Sequence, residues 1–95
     1  MTLNGARRRE LRAAAHSLKP VVQLGAKGLT DAVHGEIDLA LNAHELIKVR
    51  LAGMDKTQRR SSAMLIAERH AADIVGEIGN IAIFYRPQPE QSVEP

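Results

Sequence analysis

The sequence predicts an α/β fold in which three helices pack around a mixed, four-stranded sheet. Apolar residues recur at helical spacing in three segments, four shorter segments are β-branched or alternate apolar with polar residues, and glycines or prolines separate many of them. Along the chain these segments give the order α-β-α-β-α-β-β, an α/β sandwich. Two strand–helix–strand units imply parallel strand pairs, and a closing hairpin adds an antiparallel pair.

Each predicted helix has an apolar stripe. The first helix runs from about residue 6 to 17 and stops before Pro20. The second extends from about 30 to 43 and opens with Thr30 and Asp31, a cap residue followed by an acid. The third runs from about 57 to 72. The residues predicted to face inward are Leu11, Ala14, Ala15 and Leu18 around the first helix, Val33, Ile37, Ala40, Leu41 and His44 on the second, and Ala63, Ile66, Ala67 and His70 on the third.

The predicted strands are short. They are about residues 21 to 24, 46 to 51 with strict alternation from Ile47, a strand beginning at Ile74, and 81 to 86. Gly79 and Asn80 make the turn between the last two. The last strand is almost continuously apolar, which predicts a central place in the sheet.

Length and composition indicate one domain. Ninety-five residues suffice for a single modest core, predicted over residues 1–87, and the polar, proline-containing residues 88–95 are predicted to be a disordered tail. The chain has no cysteine, which excludes disulfides and thiolate metal sites. No apolar run approaches the length of a membrane span or a signal peptide. We therefore expect a soluble, cytoplasmic monomer that does not bind membranes.

The loop Gly25-Ala26-Lys27-Gly28 lies between the first strand and the second helix. Backbone N–H groups at a helix N-terminus lack partners and favour an anion, above all a phosphate. Glycine permits close approach of a ligand, while a plain turn that needs positive φ is the alternative interpretation. The loop lacks the hydroxyl residue of a nucleotide-hydrolysing loop and the third glycine of a dinucleotide loop. The remaining functional interpretation is that this GxxG loop clamps the backbone of a nucleic acid.

Positive charge is concentrated early in the chain. Residues 1–30 carry six basic residues and one acid, whereas the remainder carries seven basic residues and ten acids. A solvated helix face is the alternative explanation, yet a net charge of five beside an anion-accepting loop is typical of nucleic-acid binding. The candidate RNA-binding residues are Gly25, Ala26, Lys27, Gly28, Arg7, Arg8, Arg9, Arg12 and Lys19.

Other chemistries find no support in the residues. His44-Glu45 begins a zinc-protease pattern, but Lys48 stands where its second histidine must be. No serine lies on a strand-to-helix elbow, and the carboxylate pairs fall on solvated faces. Phe84 and Tyr85 point to opposite sheet faces, so a platform of stacked bases is disfavoured. We predict neither catalysis nor a metal site, cofactor or small-molecule substrate.

Three blocks of sequence resemble the CRM domain (chloroplast RNA splicing and ribosome maturation). They are Leu11-Arg12 with residues 15–30, residues 44–49, and Ile78-Gly79 with Phe84-Tyr85-Arg86-Pro87. The blocks follow the family's order and cover about residues 3–87. Two positions depart from the family: Ala71 stands near the point where many members have a glycine ending the third helix, and Asn80-Ile81 replaces a frequent lysine and threonine.

A chain consisting of this domain alone resembles the bacterial YhbY family. The resemblance implies an RNA-binding protein that associates with precursors of the large ribosomal subunit, with a fold similar to the C-terminal domain of translation initiation factor three. It also implies RNA contacts at residues 25–28 and, more loosely, along the basic first helix. A protein-interaction module whose basic helix docks an acidic partner is the alternative function.

Overall fold

The computed structural model describes residues 3–88 as three helices and four strands. In chain order they are α1 (Gly5–Ala15), β1 (Val22–Gln23), α2 (Asp31–His44), β2 (Leu46–Arg50), α3 (Lys56–His70), β3 (Asp73–Ile78) and β4 (Ile81–Tyr85). The predicted order of elements is confirmed, with boundaries that differ by at most two residues. Within residues 3–88, no helix has both the length and the apolar character needed to cross a membrane.

Each helix begins at a side chain that accepts a hydrogen bond from its first turn. Asn4 caps α1, and the Thr30 hydroxyl caps α2 by accepting the N–H of Val33 at 3.2 Å. Asp55 and Gln58 form a reciprocal capping box at the start of α3. These caps satisfy backbone donors that the helices leave unpaired, which fixes where each helix starts.

The sheet is mixed, with the strand order β1-β2-β4-β3. β1 is parallel to β2, while β4 is antiparallel to both of its neighbours. The central position predicted for the last strand is therefore confirmed. The prediction of more than one parallel pair is wrong, because β4 folds back from the tight turn at Gly79-Asn80 and inserts between β2 and β3.

The two sheet faces carry separate apolar clusters. Toward α2 and α3, Phe84, Ile47 and Val49 are completely or almost completely buried with Ile37, Leu41 and Ile66 of those helices. Toward α1, Leu11 and Ala15 pack on Val75 and Ile83. Alternation along each strand sends successive side chains to these two faces, so both faces of β4 are buried.

Three residues predicted to face inward are exposed. Ala14 lies beside the buried stripe of Leu11 and Ala15 and faces away from the cluster beneath α1. Leu18 lies beyond Ala15, where the helix ends and helical spacing no longer applies. His44 is the last residue of α2, and Glu45 follows it at φ +63°, which turns the chain into β2. His70, in contrast, is buried as predicted.

Arg86 and Gln88 hold the end of the described chain against α2. The Arg86 guanidinium donates to Asp38 at 3.1 Å and to Asn42 at 2.8 Å, and the Gln88 N–H donates to Glu45 at 2.9 Å. The predicted disordered tail otherwise falls on residues 89–95, which lie outside the described residues.

Candidate nucleic-acid interface

The loop after β1 is a tight turn closed by its two glycines. The N–H of Gly28 donates to the carbonyl of Gly25 at 3.0 Å, and Gly28 adopts φ +72°. Ala26 and Lys27 occupy the exposed tip. Within residues 3–88, Lys27 makes no side-chain hydrogen bond or ion pair. The turn thus presents a cation to solvent, and its positive φ explains the glycine at position 28.

Gly25 differs from Gly28, since its backbone does not require a glycine. Its φ is not positive, and a Cβ added there would meet no atom of residues 3–88 within 4 Å apart from those of its two chain neighbours. The fold therefore does not require a glycine at position 25. A bare surface at this point allows a ligand's backbone to approach the turn closely.

The start of α2 follows the loop at once. Thr30 accepts the N–H of Val33, while the N–H groups of Asp31 and Ala32 belong to the first turn and have no intrahelical acceptor. The helix dipole adds partial positive charge here, although the carboxylate of Asp31 offsets part of it.

The loop shares one end of the sheet with two other connections. β1 and β2 are parallel, so the loops that follow both strands meet at this end. The Asn80 turn also lies here, because its carbonyl accepts the N–H of Leu51 at 2.6 Å. Arg59 donates to the Met54 carbonyl at 2.7 Å and fixes the loop before α3. Lys56, exposed at the first position of α3, adds a second cation to this end.

Arg7 and Arg8 lie elsewhere. The Arg7 guanidinium lies 3.3 Å from the Tyr85 hydroxyl, 5.4 Å from that ring's centroid, and 3.1 Å from Glu10. Hydrogen bonding to Tyr85 raises the pKa of Arg7. Arg8 donates to the carbonyl of Ile74 in β3. Both arginines therefore contact the strands at the end of the sheet where β4 finishes and β3 starts.

The structure does not bring these two arginines to the glycine loop. The loop follows β1, whereas Arg8 is bonded to β3, and these are the opposite edge strands of the sheet. Three strand spacings separate the two edges by roughly 14 Å. Arg7 and Arg8 also lie at the opposite end of the strands from the loop.

The other predicted cations occupy three further places. Arg9 is exposed on α1, and the side chain of Arg12 runs over Gly76 of β3. Lys19 precedes β1 and lines an apolar groove with Leu18 and His44, at the end of β1 remote from the loop. Of the early basic residues, only Lys27 is part of the loop end itself.

Two basic residues of β2 were missing from the sequence prediction. Lys48 and Arg50 alternate with the buried Ile47, Val49 and Leu51, so both point to the α1 side of the sheet. The Lys48 ammonium donates to the Leu18 carbonyl at 2.9 Å, which gives it a structural role. The alternation was visible in the sequence and could have placed Arg50 on an accessible face.

The histidines form a pair that the sequence did not predict. Nδ1 of His34 lies 2.9 Å from Nε2 of His70, between α2 and α3. Burial lowers the pKa of both rings. Across residues 3–88 there is no group of three histidine, cysteine or acidic side chains placed to hold a metal ion.

The fold and the exposed turn define a small α/β domain that presents a glycine-bounded cation ahead of a helix. A family model for the CRS1 / YhbY (CRM) domain matches residues 3–86. The chain belongs to this family, which confirms the resemblance found in the sequence.

Relatives and a solved structure agree with this assignment. The chain is 42% identical over 93 residues to an RNA-binding protein of Haemophilus influenzae, covering 98% of this chain and 94% of that protein. It is 37% identical over 90 residues to a probable RNA-binding protein of Pseudomonas aeruginosa, covering 95% and 86%. The solution structure of a hypothetical protein from Staphylococcus aureus matches with a TM-score of 0.83 and 29% identity, over 98% of both chains.

Proposed function

We propose that this protein binds RNA and holds the sugar–phosphate backbone with the loop of residues 25–28. The observation that carries the proposal is the exposed Lys27, which pairs with no side chain among residues 3–88, at the tip of a glycine-bounded turn that leads directly into α2. The names of the relatives support RNA as the ligand.

Three features of the loop end favour a phosphate. Lys27 supplies an exposed positive charge, the amides of Asp31 and Ala32 supply donors, and Gly25 leaves room for the RNA backbone. Arg7 and Arg8 contact the strands at the other end of the sheet, and the Arg9 guanidinium lies beside Gly5 at the start of α1, so these three do not share that phosphate. They instead attract the polyanion over a longer range.

The family membership extends the proposal to a biological role. We place the protein on precursors of the large ribosomal subunit in the cytoplasm, where it assists assembly without catalysing a reaction. Backbone contacts read little base sequence, so in this role the shape and accessibility of an RNA segment guide the protein more than its sequence does.

Fluorescence anisotropy with labelled single-stranded RNAs of different sequence tests the loop. Lys27→Ala should weaken binding about tenfold, and about equally for every sequence, because a point charge on phosphate reads no base. Gly25→Asp should weaken binding further, since its carboxylate would repel phosphate and fill the approach. That variant should fold normally, because among residues 3–88 a Cβ at position 25 contacts nothing beyond its chain neighbours.

Two matched variants control for charge alone. Arg60→Ala removes an exposed cation whose partner is Glu77, and Ser61→Asp adds the same carboxylate on the exposed face of α3. Both should bind RNA nearly as the parent does. Equal losses in Gly25→Asp and Ser61→Asp, with circular dichroism showing both folded, would reduce the loop to a simple turn and overturn the proposal.

A further inference from the structure

The sheet face that α1 covers is only partly closed. α1 packs on Leu46, Val75, Ile83 and Tyr85. The side chain of Arg12 lies over β3, where its Cδ would be 3.1 Å from a Cβ on Gly76. Beyond Gly76, Ile78 points to the same face and is 59% exposed. An apolar side chain of this size, so exposed at the end of a strand, is not accounted for by either apolar cluster.

Ile78 is one end of a row of side chains that crosses the whole sheet. Gln23 is in register with Arg50, Arg50 with Ile81, and Ile81 with Ile78. Alternation places all four on the α1 side, because their strand neighbours Val49 and Ala82 point into the other cluster. We call these four residues the cross-strand row. It spans roughly 14 Å and begins two residues before the glycine loop.

The row has the chemistry to hold a strand of nucleotides. Within residues 3–88, Arg50 makes no side-chain hydrogen bond or ion pair, so its guanidinium is available to a phosphate or a base edge. The Gln23 amide is exposed beside it and can both donate and accept. Ile78 and Ile81 add apolar surface on which the face of a nucleobase can pack. The nearby acid of β3, Glu77, points to the opposite face and pairs with Arg60.

We infer that single-stranded RNA leaves the glycine loop and crosses this row toward Arg12. The inference rests on the proposed function and adds a direction to it: the bound strand runs from Lys27 over Arg50 and Ile78. It also separates the early basic residues, placing Arg12 along the path and Arg7 and Arg8 off it. RNA is favoured over an apolar protein partner because a free guanidinium and an amide occupy half of the row.

Anisotropy with a labelled single-stranded RNA and with a blunt duplex of the same sequence tests this path. Arg50→Ala should weaken single-strand binding about tenfold. Ile78→Thr should weaken it about threefold while leaving duplex binding unchanged, because only unpaired bases can lay a face on the row. Threonine retains the β-branch and position 78 is exposed, so the strand should persist.

Matched variants distinguish the row from general charge and apolar effects. Arg60→Ala removes a cation from the opposite side of the sheet, and Leu39→Thr alters a side chain that is 71% exposed on α2. Both should bind as the parent does. If Arg50→Ala and Ile78→Thr also bind as the parent does while Lys27→Ala is impaired, the path is wrong and the loop proposal stands. If Ile78→Thr abolishes self-association and leaves RNA affinity unchanged, the row is a protein contact and the inference is overturned. If the parent binds no RNA, both fail.

Discussion

The His34–His70 pair joins α2 to α3 through one hydrogen bond. The two ring nitrogens are 2.9 Å apart, so one must donate and the other must accept. If both rings were positively charged, neither would have an acceptor nitrogen and the hydrogen bond would be lost. Burial is the main cause that lowers both pKa values. The positive charge of Arg69 lowers the pKa of His34 further. A nearby carboxylate partly opposes the lowering of each pKa, Asp31 at His34 and Asp38 at His70.

From the lowered pKa values of these two histidines, we expect the folded protein to be less stable in mild acid. A pKa lowered in the folded state means that the unfolded chain binds the proton more tightly. The contribution of the pair to the free energy of unfolding is therefore complete at pH values above the unfolded-state pKa of about 6.5. It is lost as the pH falls below that value. The melting temperature should be lower at about pH 5.5 than at about pH 7.5.

His34→Gln should flatten that pH dependence, because it removes one titrating ring and the repulsion on His70. His16 is exposed beyond α1, and His16→Gln should retain the parent's profile. Melting curves followed by circular dichroism across this pH range provide the measurement. Parallel profiles for His34→Gln and the parent would show that other groups cause the acid sensitivity.

At the scale of elements, α3 ends in a Schellman motif built on an alanine. The N–H of Ala72 donates to the carbonyl of Ala67 at 2.9 Å, and that of Ala71 to Glu68 at 3.4 Å. Ala71 itself is left-handed, with φ 51° and ψ 43°. Glycine is the residue usually found in this conformation at the end of a helix. The structure shows why glycine suits the position, since an L side chain is disfavoured in this conformation.

Ala71→Gly should therefore stabilise the protein. The substitution relieves the left-handed strain, but glycine also gives the unfolded chain more conformational freedom, which offsets part of the benefit. The net increase in the free energy of unfolding is about 0.5 to 1 kcal/mol. For a domain of this size that raises the melting temperature by roughly 2 to 8 °C. Ala13→Gly, at an exposed helical position in α1, should do the opposite. A melting temperature that falls in both variants would contradict this account of the helix end.

At the scale of the whole molecule, the cations are spread over the sheet edges and the α1 face instead of forming one cluster. Lys27 lies at the loop, Arg50 at the middle of the cross-strand row, and Arg12 over β3. A bound strand that follows them would neutralise several phosphates in succession. Each neutralised phosphate releases counterions, so the number of contacts can be read from the dependence of affinity on salt.

We expect RNA affinity to fall steeply with salt. About four to six phosphate contacts on single-stranded RNA give a log–log slope of roughly −3 to −4. Lys27→Ala should make the slope shallower by about 0.7, since it removes one contact. Titrations between about 50 and 200 mM salt measure both values. A flat response in the parent would exclude a backbone-dominated interface.

Much of this arrangement was decided locally and could be derived from the sequence. Caps at Thr30 and glycines at 25 and 28 act through neighbouring residues, so the helix start and the turn followed from the residue types. The apolar run of β4 predicted a strand buried on both sides, and three ordered blocks of sequence identified the family. The caps and the turn depend on contacts between residues close in the chain, and the burial of β4 is indicated by its own apolar composition.

Only the tertiary structure decided which distant residues share a surface. The insertion of β4 between β2 and β3 brought Arg50 level with Ile78 and separated Arg8 from the loop, although Arg8 is the nearer to it in sequence. The same packing of α2 against α3 buried His70 next to His34 and left His44 exposed. Strand order is set by long-range packing and by which connections between strands are possible. The apolar periodicity of one strand does not indicate which strands lie beside it.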